Sequence, residues 1–279
     1  MGTPVRVQAN GMAFDAMAWD PEGPEGGALV LALHGFPQRA SCWSAVAQRL
    51  ASAGIRTIAI DQRGYSAGAR PVEVAAYAMP HLIADVVEII GALNSRVHLV
   101  GHDWGGVVGW QVAARRPDLL LSWTAVSTPN QLAINEVLSE SAAERARFGY
   151  IRDFREPDAE QRLVELNWAP FTSLFGDRVP AERVADDLAF FAQPGVLTAA
   201  LNWYRAMART DADGLGPVTV PTAYVWGSAD MAFSAAAAAR TERFVAAPYR
   251  FVALDGASHW LPDEAPDTLA EVIAEQVWR

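Results

Sequence analysis

Lysine is absent from the 279 residues, and all 22 basic side chains are arginine. That excludes Schiff-base chemistry on a lysine and the phosphate loop whose lysine reaches a nucleotide. Cysteine is almost absent as well: Cys42 alone can form neither an intramolecular disulfide nor a cysteine-rich metal cluster. No apolar run approaches the roughly 18 residues of a membrane span, and Met1-Gly2-Thr3-Pro4-Val5-Arg6 contains no apolar leader core. Arg6 also departs from the myristoylation pattern. Positive charge is in deficit, 22 Arg against 32 Asp plus Glu, for a net charge of −10. An acidic body repels phosphate backbones. The expectation is a cytoplasmic protein with no membrane or nucleic-acid partner, acting on a small molecule.

What is present favours a large folded core. The chain is 51% hydrophobic, and its 21 Gly and 17 Pro are too few for a low-complexity sequence. The length fits one or two domains. Val5–Ala9 and Met12–Ala18 flank Asn10-Gly11, the dipeptide suited to a two-residue hairpin turn. After a break at Pro21–Gly27, unbroken apolar runs appear at Ala28–Leu33, Ile55–Ile60, Val97–Val100, Trp123–Val126 and Ala223–Trp226, with a mixed run at Arg250–Leu254. Runs without alternation mark strands buried on both faces, as in a parallel sheet covered by helices. Helical spacing occupies Trp43–Ala53, Met79–Leu93, Val107–Arg116, Ala235–Phe244 and Pro266–Val277. Strand and helix in alternation give an α/β fold.

Residues 131–214 break that rhythm with charged amphipathic helices and bulky aromatics but no strand. This segment reads as a helical insertion over the sheet, a solvated helical surface being the alternative. The core is then 1–130 plus 215–279.

The sharpest motif is Val97-His98-Leu99-Val100-Gly101-His102-Asp103-Trp104-Gly105-Gly106. A strand runs into a glycine-rich turn and a helix follows, the context in which a nucleophile stands exposed on a strained elbow. Asp103 occupies the nucleophile position; capping of the next helix is the plainer alternative. Gly64-Tyr65-Ser66-Ala67-Gly68 matches the serine-hydrolase pattern by letter. Its context is wrong, because three residues separate it from the preceding strand and Pro71 disfavours a helix after it.

Asp230 ends a buried run at a loop, where open α/β sheets place functional side chains. His259 follows the last strand, also in a loop, so the order nucleophile, acid, histidine is the one this architecture expects. His34, His81, His98 and His102 compete poorly. His98 and His102 are four apart, but they are not on a helix and have no acidic residue between them, so they form no zinc motif. The loop His34-Gly35-Phe36-Pro37 places the Phe36 N–H, with that of Trp104, as oxyanion donors. Pro37 is a candidate for a cis bond.

These pieces resemble the α/β-hydrolase superfamily, and within it the epoxide hydrolases with an aspartate nucleophile. The matching residues are His34-Gly35-Phe36-Pro37, Asp61-Gln62-Arg63-Gly64-Tyr65, the elbow around Asp103, Trp226-Gly227-Ser228-Ala229-Asp230, and His259-Trp260 with Glu264 and Pro266. The resemblance implies an α/β-hydrolase fold, a mostly parallel twisted sheet flanked by helices, with residues 131–214 as a lid. It further implies two lid tyrosines whose hydroxyls meet the epoxide oxygen, and only Tyr150 and Tyr204 fall in the insertion. The implied reaction converts an apolar epoxide and water to a vicinal diol through an ester on Asp103. Asp230 and His259 drive its hydrolysis, and no metal or cofactor is required. A haloalkane dehalogenase shares the aspartate elbow and the tryptophan after it, but many carry Asn where Phe36 stands. Fluoroacetate dehalogenases carry Arg where Trp104 stands. A non-catalytic ligand-binding homologue is the third alternative.

Overall fold

The computed structural model describes residues 2–22 and 27–279. Residues 23–26 of the expected break at 21–27 lie outside the described residues. Eight strands form one sheet: β1 Thr3–Ala9, β2 Met12–Trp19, β3 Leu29–Leu33, β4 Arg56–Ile60, β5 Val97–His102, β6 Leu120–Val126, β7 Thr222–Gly227 and β8 Tyr249–Leu254. Their order is β1-β2-β4-β3-β5-β6-β7-β8. The first hairpin pairs Ala9 with Met12, and positive φ values of 49° at Asn10 and 70° at Gly11 make its turn. It joins β4 antiparallel, while β4, β3, β5, β6, β7 and β8 run parallel.

Every residue of β5 and β7 is buried, which explains their unbroken apolar runs. Successive side chains alternate between two cores. Leu31, Leu33, Leu99 and Tyr224 share one core with the helices Met79–Ala92 and Trp104–Arg115. Val30, Ala32, Val100, Ala223 and Val225 meet Ser44–Ser52 and Pro266–Val277. The edge strands β1 and β8 instead alternate between exposed and more buried positions. A fully buried Leu or Val contributes about 1.5–3 kcal/mol, so these central strands form a rigid base for the loops at their C-terminal ends.

Between β6 and β7 the chain forms seven helices, from Gln131–Glu140 to Val196–Ala206, with no strand among the described residues. Phe154, Phe171, Phe191 and Trp203 from this insertion join the same core as Leu33 and Leu99. It is thus packed onto the sheet's half of the molecule. Val218 makes a single bridge to Val245, and β7 starts only at Thr222, after Pro221. Among the described residues, no helix is long and apolar enough to cross a membrane.

Candidate active site

The elbow is built by close approach. A Cβ on Gly101 would lie 2.2 Å from the Gly105 carbonyl oxygen, and one on Gly105 would lie 2.3 Å from that of Leu33. Only glycine at both positions lets the turn sit this deep. Asp103 takes φ 51° and ψ −118°, a strained conformation for a residue with a Cβ. The helix begins at Trp104, three residues before its apolar pattern becomes legible at Val107. Asp103 is its N-cap residue, yet its side chain makes no capping hydrogen bond. The carboxylate instead turns to the loop after β3, where Phe36 N–H donates to Oδ1 at 2.8 Å. The Phe36–Pro37 peptide bond is cis.

Asp230 lies beyond β7 with its side chain wholly buried. Its Oδ1 accepts from the backbone N–H groups of Ala232 and Phe233 at 2.8 and 2.9 Å. Its Oδ2 accepts from His259 Nδ1 at 2.9 Å. The other ring nitrogen, Nε2, faces Asp103 Oδ2 at 3.6 Å. Burial alone pushes the imidazole down, but the charges and hydrogen bonds of Asp230 and Asp103 prevail and raise His259 to about 10. Burial pushes Asp103 up, and His259, His102 and the Phe36 N–H outweigh it, so its carboxyl sits below the usual range. Both shifts favour the charged pair, carboxylate on Asp103 and proton on His259.

Tyr204, on Val196–Ala206, packs edge-on against Trp104 and Phe36 with ring centroids 5.2 and 5.3 Å away. Tyr150, on Gly149–Arg155, lies 6.3 Å from Tyr204 by ring centroid. Arg155 Nε donates to the Tyr204 carbonyl at 2.8 Å and ties the two helices together. Burial, with the charge of Asp103 added, pushes both phenols well above their ordinary value. Both stay protonated donors near neutral pH.

The remaining candidates are tied up elsewhere. Ser66 Oγ accepts from Asp15 N–H at 2.8 Å and donates to the Asp61 carbonyl, and a single turn of 3-10 helix follows it. His34 donates from Nδ1 to the Gly35 carbonyl and accepts at Nε2 from Gln62 N–H. His98 meets Ser122 Oγ inside the sheet, and His81 is exposed. Among the described residues, no three His, Cys, Asp or Glu side chains are grouped to hold a metal.

Sequence reasoning left out the seam between insertion and core. Trp260, next to His259, donates from Nε1 to the Leu174 carbonyl at 2.9 Å and packs on Phe175. Glu264 accepts from Ser258 N–H at 2.8 Å and pairs with Arg178 of the insertion at 2.8 Å. Asp187 of the helix Ala181–Phe191 lies 3.3 Å from Arg39. Burial pushes its carboxyl up to about 7, against the pull of Arg39 and Arg183. A buried Asp beside two arginines leaves no signal in a chain where charged residues are ordinary surface.

A parallel sheet with crossover helices, a strained elbow after β5, and an acid and a histidine after β7 and β8 define a class. Residues 29–272 match the model of the alpha/beta hydrolase family, and the chain belongs to that family. It is 33% identical over 278 residues, 96% of each chain, to the AB hydrolase superfamily protein YfhM of Bacillus subtilis strain 168. It is 31% identical to Epoxide hydrolase A of Mycobacterium tuberculosis, covering 99% of this chain and 98% of that one. The solved structure of the epoxide hydrolase VrEH1 from Vigna radiata superposes with a TM-score of 0.84 at 25% identity, over 99% and 98% of the two chains.

Proposed function

We propose that the chain opens an apolar epoxide to a vicinal diol through a covalent ester on Asp103, beneath a lid formed by residues 131–214. The observation that carries this reading is the pair of protonated phenols, Tyr150 and Tyr204, 6.3 Å apart by ring centroid and both under the charge of Asp103, whose carboxylate His259 faces at 3.6 Å. Similarity to a relative named Epoxide hydrolase A, 31% identical over nearly the full length, supports the same substrate class.

Asp103 is ionised at rest and needs no base for the first step. One of its oxygens attacks an epoxide carbon, and the ring C–O bond breaks. The departing oxygen takes a proton from a lid phenol, which recovers one through solvent. Ester formation consumes the negative charge of Asp103. His259 thereby loses one of the two carboxylates that hold its proton, so it releases that proton to solvent, which replaces the one the phenol gave up, and becomes a base. It then takes a proton from water through Nε2 as the water attacks the Asp103 carbonyl carbon. The N–H groups of Phe36 and Trp104 stabilise the oxyanion. The bond from that carbon to the substrate oxygen breaks, His259 gives its proton to that oxygen, the Asp103 carboxyl passes its own proton to His259, and the diol leaves with the charged pair restored. Neither alternative chemistry needs this set: a halide requires no proton on departure, and a ligand receptor requires no paired imidazole.

Mass spectrometry of His259→Gln after incubation with styrene oxide tests the reading. A mass of protein plus epoxide on the peptide holding Asp103 is the expected result. An adduct formed from haloalkanes but from no epoxide would replace it with dehalogenation. An adduct on Ser66, or none from either panel, would overturn the assignment of Asp103.

A further inference from the structure

We propose that His102, together with Ser127, is a positioning residue for the ester-hydrolysis step, holding the backbone of His259 so that its Nε2 faces Asp103. The inference rests on the reading of the site given above.

His259 lies in a loop beyond β8, where no strand ladder fixes its main chain. Its side chain is anchored at Nδ1 by Asp230. Its carbonyl oxygen accepts from the Leu261 N–H at 3.0 Å in a local turn and is also the convergence point of two buried side chains from neighbouring parallel strands. His102 Nε2, at the end of β5, lies 2.9 Å away, and Ser127 Oγ, just past β6, lies 2.7 Å away. A carbonyl can only accept, so His102 carries its proton on Nε2 and a bare lone pair on Nδ1. That Nδ1 is buried without a partner. A ring present for packing alone would be a phenylalanine, which buries no orphan acceptor. The N–H is what this position uses.

The donor must also be neutral. The His102 and His259 rings lie 4.8 Å apart, so a cation here would oppose the proton on His259. Burial, and then the charge of His259, pushes His102 down to about 4, so it stays uncharged near neutral pH. Because Asp103 is the next residue in the chain, one elbow sets both the attacked carboxylate and the support of the base. Ring opening uses Asp103 and the phenols alone. Hydrolysis of the ester needs His259 within reach of a water beside Asp103, so loss of the support acts on the second half-reaction.

Rapid-quench kinetics with styrene oxide on His102→Phe, His102→Gln and Ser127→Ala separate the two half-reactions, with His259→Gln as the reference for a stalled ester. In His102→Phe, ester formation is expected near the wild-type rate and hydrolysis roughly tenfold or more slower, so that the Asp103 ester accumulates. Ser127→Ala is expected to shift the partition in the same direction, and His102→Gln, which keeps a neutral N–H donor of similar reach, to restore it. Equal losses in both half-reactions without rescue by Gln, or no change in either, would overturn the proposal and leave His102 a packing residue. Absence of any Asp103 adduct in His259→Gln would overturn the reading of the site itself, and this inference with it.

Discussion

The two halves of the site are held by different forces. On the sheet side, Asp103, Asp230 and His259 stand at the C-terminal ends of β5, β7 and β8, and backbone N–H groups hold the two carboxylates in place. On the insertion side, Tyr150 and Tyr204 are placed by ring-on-ring packing with Phe36, Phe154 and Trp104, and by the bond from Arg155. Strand register positions the first set; shape complementarity positions the second. Losses on the sheet side should therefore be all-or-none, and losses on the insertion side graded.

The largest expected effect is on the sheet side. Asp103→Asn removes the proposed nucleophile, and turnover is expected to fall by roughly 10³-fold or more, measured as diol released under saturating epoxide. Retained activity would break the comparison at its base. Next come the phenols. Tyr150→Phe and Tyr204→Phe are each expected to slow ester formation by about 10- to 100-fold, with the double variant slower than either, as read by single-turnover kinetics. A double variant that forms the ester at the wild-type rate would remove the insertion from the chemistry.

The seam between the halves gives a smaller effect, read in stability. The folded protein holds the proton of Asp187 up to about pH 7, against an ordinary value of 3.8. A carboxyl raised on folding adds no penalty below pH 3.8, costs stability increasingly from there to about 7, and costs a constant amount above it. Asp187→Asn removes that cost. Its melting temperature is expected to exceed wild type at pH 8, by about 1 kcal/mol of stability, with the gain vanishing toward pH 4. The sign is opposite for His259: raised to about 10, it contributes stability fully below 6.5, and the contribution is lost as pH rises toward 10. Ser66→Ala has the smallest effect on activity, none being expected. It leaves the Asp15 N–H without its partner and is expected to cost about 1–2 kcal/mol in chemical denaturation. A loss of turnover matching the loss seen for Asp103→Asn would reinstate the serine.

Most of the sheet was legible because burial on both faces writes itself as unbroken apolar runs. Errors fell where a local rule was suspended. The helix after the elbow starts at Trp104 and not Val107, because Gly105 and Gly106 are poor helix formers that close packing requires. The long run expected over Ala235–Phe244 is an α-helix only to Arg240 and then a tighter turn. In the insertion, the sequence indicated helices and two tyrosines, but not the contacts that bring those tyrosines together. Aromatic spacing on short helices is compatible with many packings.

By itself, the sequence determined the order of strands and helices, the tight elbow at Asp103 and the placing of an acid and a histidine in later loops. These follow from local backbone rules: apolar periodicity, the steric freedom of glycine, and loops at strand ends. Tertiary structure alone decided that two carboxylates push His259 up, that His102 meets the His259 carbonyl and that burial pushes the Asp187 carboxyl up. Each depends on burial and on neighbours distant along the chain, such as His102 and His259, 157 residues apart. Electrostatic energy is a sum over positions in space, and no window of sequence contains that sum.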